Sequence, residues 1–175
     1  MKKVIMGIVL AVVLGGTAAY AQPSGFGIGV LWQQQIGLGN YGVGNSGPSL
    51  SLKLPGSPIF WAVNLGIGDN YFGLGIQGDH YLVYRNIAGP VYWYLGLGGW
   101  GTVHFWGTGD AGYMGLGLGA RLPIGISIQP VNFLEIFVDA APSLGVRIDF
   151  GSGDHSGVRF PVAGVPLGFG IRLWL

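Results

Sequence analysis

Few side chains in this sequence could carry out acid–base chemistry. Three carboxylates in the body of the chain, Asp79, Glu135 and Asp139, are of the type that acts as a general acid or base. Glycine and apolar residues surround them, and nothing near them in the sequence indicates a cleft or an activated partner. We therefore expect these carboxylates to have a structural role, and we predict that the protein is not an enzyme.

The three histidines are the other candidates. We predict that His104 and His155 lie in solvated loops. His80 falls among apolar positions that we assign below to a lipid-facing surface, where a histidine paired with a serine could act as the base of a lipid hydrolase. No serine lies on the outward phase of a neighbouring strand, so we expect His80 to be an interfacial residue or one whose strand register is shifted.

No metal or cofactor site is indicated. The histidines and carboxylates lack the close spacing of a metal site, and the Gly-x-Gly runs are not followed by a helix, as a phosphate-binding loop requires. The chain has no cysteine, which excludes disulfides, a thiol nucleophile and thiolate metal ligands. We predict no catalytic residue, no metal and no cofactor.

The first 21 residues read as an export signal. Lys2 and Lys3 precede an apolar stretch, and Ala19-Tyr20-Ala21 forms a small-x-small cleavage pattern. We predict a cleaved signal peptide over residues 1–21 and a single mature domain over residues 22–175, with an uncleaved anchor as the alternative. Removing two of the eight basic residues leaves six against seven acidic ones, a charge of −1 that gives no reason to expect nucleic-acid binding.

The composition is unusual for a water-soluble domain. Of 175 residues 36 are glycine, half are hydrophobic and only 9% are charged, compared with roughly 25% charged in an average soluble domain. The chain is too apolar to be disordered. The simplest interpretation is that much of its surface does not meet water.

Apolar residues alternate with small or polar ones along most of the chain. From Leu116 to Ile128 every even position is apolar, while half of the odd positions are glycine and the others are Arg121, Pro123 and Ser127. A strand places successive side chains on opposite faces, so this pattern predicts a strand with one apolar face. The same pattern predicts eight strands, over residues 26–32, 49–54, 59–67, 72–79, 91–98, 116–128, 134–148 and 167–175.

The face that carries the glycine and polar residues has too few charged side chains to form a surface exposed to water. The apolar face must then point outward to lipid, with the small and polar face inside a closed ring in which every backbone group is paired. We predict an all-β fold, an eight-stranded antiparallel up-and-down transmembrane β-barrel. Short turns near residues 55–58, 86–90 and 129–132 and both termini would face the periplasm, and segments 33–46, 69–71, 103–112 and 150–157 would face outside. A soluble cup with the apolar face inside is the alternative.

The phase of the alternation also assigns side chains to each face. Inward charges could pair and fill the narrow interior, and we expect Arg121, Glu135 and Arg172 to form one cluster near the periplasmic end. Phe60, Tyr92, Tyr94, Phe137 and Trp174 are predicted to lie inside with them. The predicted interior polar network comprises Lys53, Asp79, Arg121, Glu135, Asp139, Arg147 and Arg172. The predicted aromatic girdle comprises Trp32, Trp61, Phe72, Tyr84 and Trp93.

Several stretches resemble a known family. Residues 115–125 (GLGLGARLPIG) and 133–143 (FLEIFVDAAPS), with the looser 75–82 (GIQGDHYL) and 94–100 (YLGLGGW), are similar to small OmpA-like eight-stranded outer-membrane barrels of bacteria, including spirochaetal members. The resemblance implies an outer-membrane location. The last residues, 168–175 (GFGIRLWL), resemble the closing strand that the barrel-assembly machinery reads, although such chains usually end in an aromatic residue and this one ends in Leu175. The resemblance transfers no catalytic residue.

We therefore predict an integral, monomeric, porin-like protein of a Gram-negative-type envelope. Its role would be structural or one of surface interaction, with a side-chain-filled interior. Its predicted partners are outer-membrane lipid and, during biogenesis, the barrel-assembly machinery, and the sequence identifies no external ligand. A narrow pore, a lipid-modifying membrane enzyme and a soluble periplasmic binding cup are the alternatives.

Overall fold

The strands follow the alternating pattern. The computed structural model describes residues 25–37, 46–108, 111–151 and 156–175, so the predicted signal peptide lies outside the described residues, as do His155 and parts of three predicted outer loops. The strand segments are β1 (Gly27–Gly37), β2 (Gly47–Lys53), β3 (Ile59–Gly68), β4 (Tyr71–Ala88), β5 (Val91–Thr108), β6 (Ala111–Arg121), β7 (Ile124–Val131), β8 (Leu134–Ala140), β9 (Ser143–Phe150) and β10 (Gly157–Trp174).

Two of the long strands are each interrupted at a proline. Segments β6 and β7 are separated by Leu122-Pro123 and both pair with β5, and segments β8 and β9 are separated by Ala141-Pro142 and both pair with β10. Proline has no N–H to donate to a ladder. Its carbonyl still accepts, since Gly96 N–H donates to the Pro123 oxygen at 2.7 Å and Leu122 N–H to the Pro142 oxygen at 3.0 Å. Each pair of segments therefore acts as one strand.

Counted in this way, eight antiparallel strands form a closed ring. Neighbours in sequence are neighbours in space, and β1 closes the ring by pairing with β10 over its full length, from Gly27 opposite Trp174 to Gly37 opposite Gly164. Following the paired residues once around the ring from Leu173 leads back to Ala163, ten residues away on the same strand. The predicted all-β, eight-stranded up-and-down barrel is confirmed.

Inward glycines make room for large inward rings. A side chain on Gly117, Gly119 or Gly145 would come within 3.0 Å of the Trp100 indole, which occupies the space beside these glycines. In the same way, a side chain on Gly125 would collide with Tyr94. An eight-stranded barrel is only wide enough to be filled by side chains, so the bare glycine face allows aromatic rings to fit.

A bulge in β4 corrects one predicted position. The pairing of β4 with β5 shifts between Tyr81 and Val83, so that Leu82 is an extra residue. The extra residue reverses the phase: Leu82 is exposed and Tyr84 is buried inside the barrel. The assignment of Tyr84 to the aromatic girdle was therefore wrong, because alternation counted from the start of β4 does not continue past the bulge.

The strand ends opposite the start of β1 and the end of β10, which we call the outer ends, are longer than the alternation indicated. Segment β5 continues to Thr108 and β6 begins at Ala111, so residues 103–108, predicted as loop, belong to a strand. His104 lies on that strand and is buried, which corrects its assignment to a solvated loop. Segment β10 begins at Gly157, ten residues before the predicted start.

Candidate functional site

The interior of the barrel contains a buried ion pair at the end where β1 begins and β10 ends. Arg172 Nη1 lies 2.6 Å from Glu135 Oε2, and the two side chains are almost fully buried. The residues are directly paired across β8 and β10. Ser127 donates to Glu135 Oε1 at 2.8 Å and the Trp174 indole N–H donates to Oε2 at 3.1 Å. Both carboxylate oxygens thus have partners, as a buried charge requires.

Aromatic rings enclose the Arg172 guanidinium. Its central carbon lies 4.8 Å from the centre of the Phe60 ring and 4.6 Å from that of Phe137, distances typical of a cation–π contact. Its Nη2 also donates to Ser51 Oγ at 3.0 Å. The arginine is therefore held by charge, stacking and a hydrogen bond at once.

A stack of rings fills the cross-section beside this ion pair. Phe60 lies on Tyr81 with ring centres 4.1 Å apart, Tyr81 lies on Tyr94 at 4.4 Å, and Tyr84 stacks on Tyr92 at 5.1 Å. We call these five rings the aromatic layer. Phe60, Tyr92 and Tyr94 were predicted inside. Tyr81 was missed because the predicted strand ended at residue 79, and Tyr84 was missed because its phase depends on the β4 bulge.

Two further carboxylates lie above the aromatic layer. Asp79 Oδ1 is 3.1 Å from Arg121 Nε, and Arg121 Nη1 also donates to Gln77 Oε1. Asp139 Oδ2 accepts from the Tyr94 hydroxyl at 3.1 Å. The three carboxylates singled out in the sequence are thus each held by a different group, and none faces an open cleft.

This geometry corrects the predicted Arg121–Glu135–Arg172 cluster. Arg172 and Glu135 do pair, but Arg121 pairs with Asp79 in a separate layer. Arg121 ends β6 and is followed by the whole of β7 before the turn, whereas Glu135 is the second residue of β8 after that turn. The two side chains therefore lie at different heights on the wall.

Lys53 and Arg147 mark the two ends of the predicted network. The Lys53 ammonium donates to the carbonyls of Leu54, at 3.2 Å, and Ser57 in the turn that follows β2. At the other end, Arg147 Nε donates to Asp149 Oδ1 at 2.7 Å and Arg159 Nε lies 3.1 Å from Asp149 Oδ2. Lys53 is buried and Arg147 is partly exposed.

An aromatic cluster at the outer end, formed by Tyr71, His104, Trp106 and Tyr113 and called here the Trp106 cluster, was not predicted. The Tyr71 hydroxyl and His104 Nδ1 are 2.8 Å apart, the Trp106 and Tyr113 rings stack at 4.7 Å, and the Arg147 guanidinium lies 4.6 Å from the Trp106 ring. Extending the inward even phase of β5 upward from Tyr94 would have found His104 and Trp106.

A small polar cavity lies between the ion-paired layers and the outer end. The space open to the centre of a water molecule is about 20 Å³, enough for about one water. Its lining is rich in uncharged amides and hydroxyls and includes Gln33, Gln35, Ser49, Asn64, Gln77, Trp100 and Arg121. The cavity can hold polar groups but is too small for a sugar or a nucleotide.

The outer wall is apolar. Val30 is 63% exposed, Leu118 58% and Ile67 80%, and many other large apolar side chains share this face. Of the predicted girdle, Trp32, Trp61 and Phe72 are exposed on the outer wall and Trp93 is half-buried. Phe105 faces Phe72 with ring centres 6.1 Å apart, and Phe150 and Phe160 are also exposed near the outer ends of β9 and β10.

Two kinds of feature are absent from the described parts of the chain. No helix there is long and apolar enough to cross a bilayer, and no group of three or more metal-ligating side chains is present among those residues.

This geometry defines a class of protein, the closed eight-stranded barrel with an apolar outer wall and a polar, aromatic interior. Comparison with solved structures gives a particular example: the fold matches the crystal structure of Neisserial surface protein A (NspA), with a TM-score of 0.52 and 16% sequence identity over 87% of this chain and 98% of that one. No family model matches the sequence. No curated protein matches it either.

Proposed function

We propose that this protein is an integral outer-membrane β-barrel, exported by the N-terminal signal and inserted by the barrel-assembly machinery. The proposal rests on one observation. The strands form a closed ring whose outer wall is apolar and whose interior holds the charged side chains. In a bilayer every backbone polar group must be paired, and a closed barrel meets that requirement. The NspA-like fold and the resemblance to OmpA-like barrels support it.

The role we propose is structural or one of surface interaction, without catalysis and without a cofactor. The interior is filled by the aromatic layer and its ion pairs, so its side chains serve to hold the barrel closed. The four carboxylates Asp79, Glu135, Asp139 and Asp149 are engaged by arginine or tyrosine. The outward loops and strand ends, together with the Trp106 cluster, are the parts available to an external partner.

A narrow pore is the second candidate. The small polar cavity lined by Gln33, Asn64 and Gln77 favours it, since amide side chains above the aromatic layer would suit a hydrated path. Passage would require the aromatic layer to open.

Membrane fractionation of the full-length protein tests the main proposal. We expect the protein in the outer-membrane fraction after a urea wash, and a shift in gel mobility between unheated and boiled samples, as is usual for closed barrels. Recovery as a soluble periplasmic protein without a mobility shift would overturn the proposal and favour the binding cup.

A further inference from the structure

Two side chains in the wall of the small polar cavity carry a polar atom without a hydrogen-bond partner. Trp100 is 9% exposed and Ser49 5% exposed, and both line the cavity. Among the described residues, neither the Trp100 indole Nε1 nor Ser49 Oγ has a hydrogen-bond partner. A buried polar group without a partner costs free energy, and in native proteins nearly all such groups bond to protein or to ordered water.

Close packing on the inner wall holds the Trp100 indole in one orientation. A side chain on Gly117 or Gly145 would collide with the carbon edge of the ring, and one on Gly119 would come within 2.8 Å of Nε1. The ring thus occupies the space that these three glycines leave. Turning its N–H toward a more distant acceptor would require the wall to move, because packed interiors leave little room for such a rotation.

Two other polar side chains of the cavity wall already have partners within the protein. Arg121 pairs with Asp79 and donates to Gln77 Oε1. Ser143 Oγ donates to the Ala141 carbonyl oxygen at 2.7 Å. The polar atoms that lack a partner in this wall are therefore specific ones, and both belong to side chains that are at least nine-tenths buried.

Trp100 and Ser49 stand on strands that are not neighbours. Ser49 belongs to β2 and Trp100 to β5, with β3 and β4 between them in the ring. No backbone ladder connects these two strands directly. A molecule bound between the two side chains would join separate parts of the inner wall.

Size and charge select the molecule. The space open to the centre of a water molecule is about 20 Å³, which is enough for about one water. An indole N–H can only donate, whereas a hydroxyl can donate or accept, so the occupant must accept a hydrogen bond. Arg121 is the only charged residue in the described lining, and Asp79 balances its charge. The wall therefore offers no unbalanced positive charge to an anion, and the indole N–H would repel a cation.

We propose that the cavity binds one ordered water molecule, which accepts a hydrogen bond from the Trp100 indole N–H and donates one to Ser49 Oγ. The amide of Gln33 lines the same space and supplies a third partner, the usual number for a buried water. The water ties β2 to β5 across the interior above the aromatic layer. The inference goes beyond the proposed function and does not depend on what covers the outer wall.

The test uses the full-length protein with isotope-labelled tryptophan, folded in detergent micelles and studied by NMR. We expect a rotating-frame Overhauser cross-peak between water and the Trp100 indole proton, with the sign of dipolar contact rather than of proton exchange. Trp100→Phe identifies the resonance. Ala62→Val should abolish the cross-peak, because Ala62 is buried in the cavity wall and the two added methyl groups fill the space of the water.

Ala120→Val is the matched control, since Ala120 is exposed on the outer wall and should leave the cross-peak unchanged. Gel mobility before and after boiling establishes that each variant is folded, and Ser49→Val replaces Ala62→Val if the latter is not. A wild type without the cross-peak, or with one of the exchange sign, would overturn the inference. So would a cross-peak that persists in the folded cavity variant, or a Trp100 indole resonance that shifts when bromide replaces chloride, since that shift would indicate a bound anion.

Discussion

Glu135 and Arg172 in the interior are each held by several partners at once. Glu135 uses one oxygen for Ser127 and the other for Arg172 and Trp174. An uncompensated charge in such a place costs several kcal/mol. Sequence phase was enough to place Glu135 and Arg172 on the inward face. Because each charge is buried there, each needs a partner of opposite charge, and the two residues form a pair.

At this scale we predict that Glu135→Gln destabilises the barrel by about 3 kcal/mol, the usual cost of removing one partner from a buried ion pair. Urea unfolding in lipid vesicles, followed by tryptophan fluorescence, would measure the change. The double variant Glu135→Gln/Arg172→Met should recover much of the loss, since the methionine leaves no unpaired charge and still packs on Phe60 and Phe137. Equal stability of Glu135→Gln and the wild type would show that the pair is not needed.

The Arg159–Asp149 ion pair at the outer end should contribute less to stability than the Glu135–Arg172 pair. Arg159 contacts Asp149 but its side chain remains 28% exposed, and exposed ion pairs contribute about 0–1 kcal/mol. Arg159→Gln should therefore change the free energy of unfolding by less than about 1 kcal/mol in the same assay. A loss as large as that of Glu135→Gln would mean that water does not reach this end of the barrel.

At the scale of elements, close approach between strands determines where glycine is required. Segments β1 and β10 close the ring, and a side chain on Gly29 would come within 2.0 Å of the Ile171 carbonyl oxygen. That atom belongs to the backbone and cannot move without opening the ladder. Gly101, on the outer wall, has no such neighbour.

Gly29→Val should therefore prevent closure of the barrel, while Gly101→Ala should leave the barrel folded. The difference in gel mobility between unheated and boiled samples measures this, and it should vanish only in the first variant. A normal mobility shift in Gly29→Val would contradict the β1–β10 register described above.

At the scale of the whole molecule, the interior is divided into levels. The aromatic layer and the Glu135–Arg172 pair fill the end at which β1 begins and β10 ends. The small polar cavity lies above them, and the Trp106 cluster lies near the outer ends of the strands. Tyr81 stacks on Phe60 with ring centres 4.1 Å apart and on Tyr94 with ring centres 4.4 Å apart. The polar cavity above them has room for about one water.

We accordingly expect no stepwise conductance from the wild type in planar lipid bilayers. Tyr81→Ala/Tyr94→Ala removes the middle of the aromatic layer and should produce conductance steps, whereas Trp32→Ala, on the outer wall, should not. Steady conductance from the wild type would favour the pore candidate over the filled interior.

The amino-acid sequence by itself determined the fold class and the two faces of the wall. Period-two alternation is a local property, since every strand must place successive side chains on opposite sides, and it needs no knowledge of neighbours. It placed Lys53, Asp79, Glu135 and Arg172 on one phase and residues such as Leu118 on the other. The eight strands and their antiparallel order followed from the same pattern and from the turns between the runs.

Only the tertiary structure decided which side chains meet. The bulge at Leu82 reverses the phase of β4 and brings Tyr84 inside, and the stagger of ten residues around the ring brings Arg121 to Asp79 instead of Glu135. His104 joined the interior because β5 continues beyond its alternating run. Bulges and stagger are properties of the hydrogen-bonded pairing between strands, so the alternation within a single strand carries no record of them.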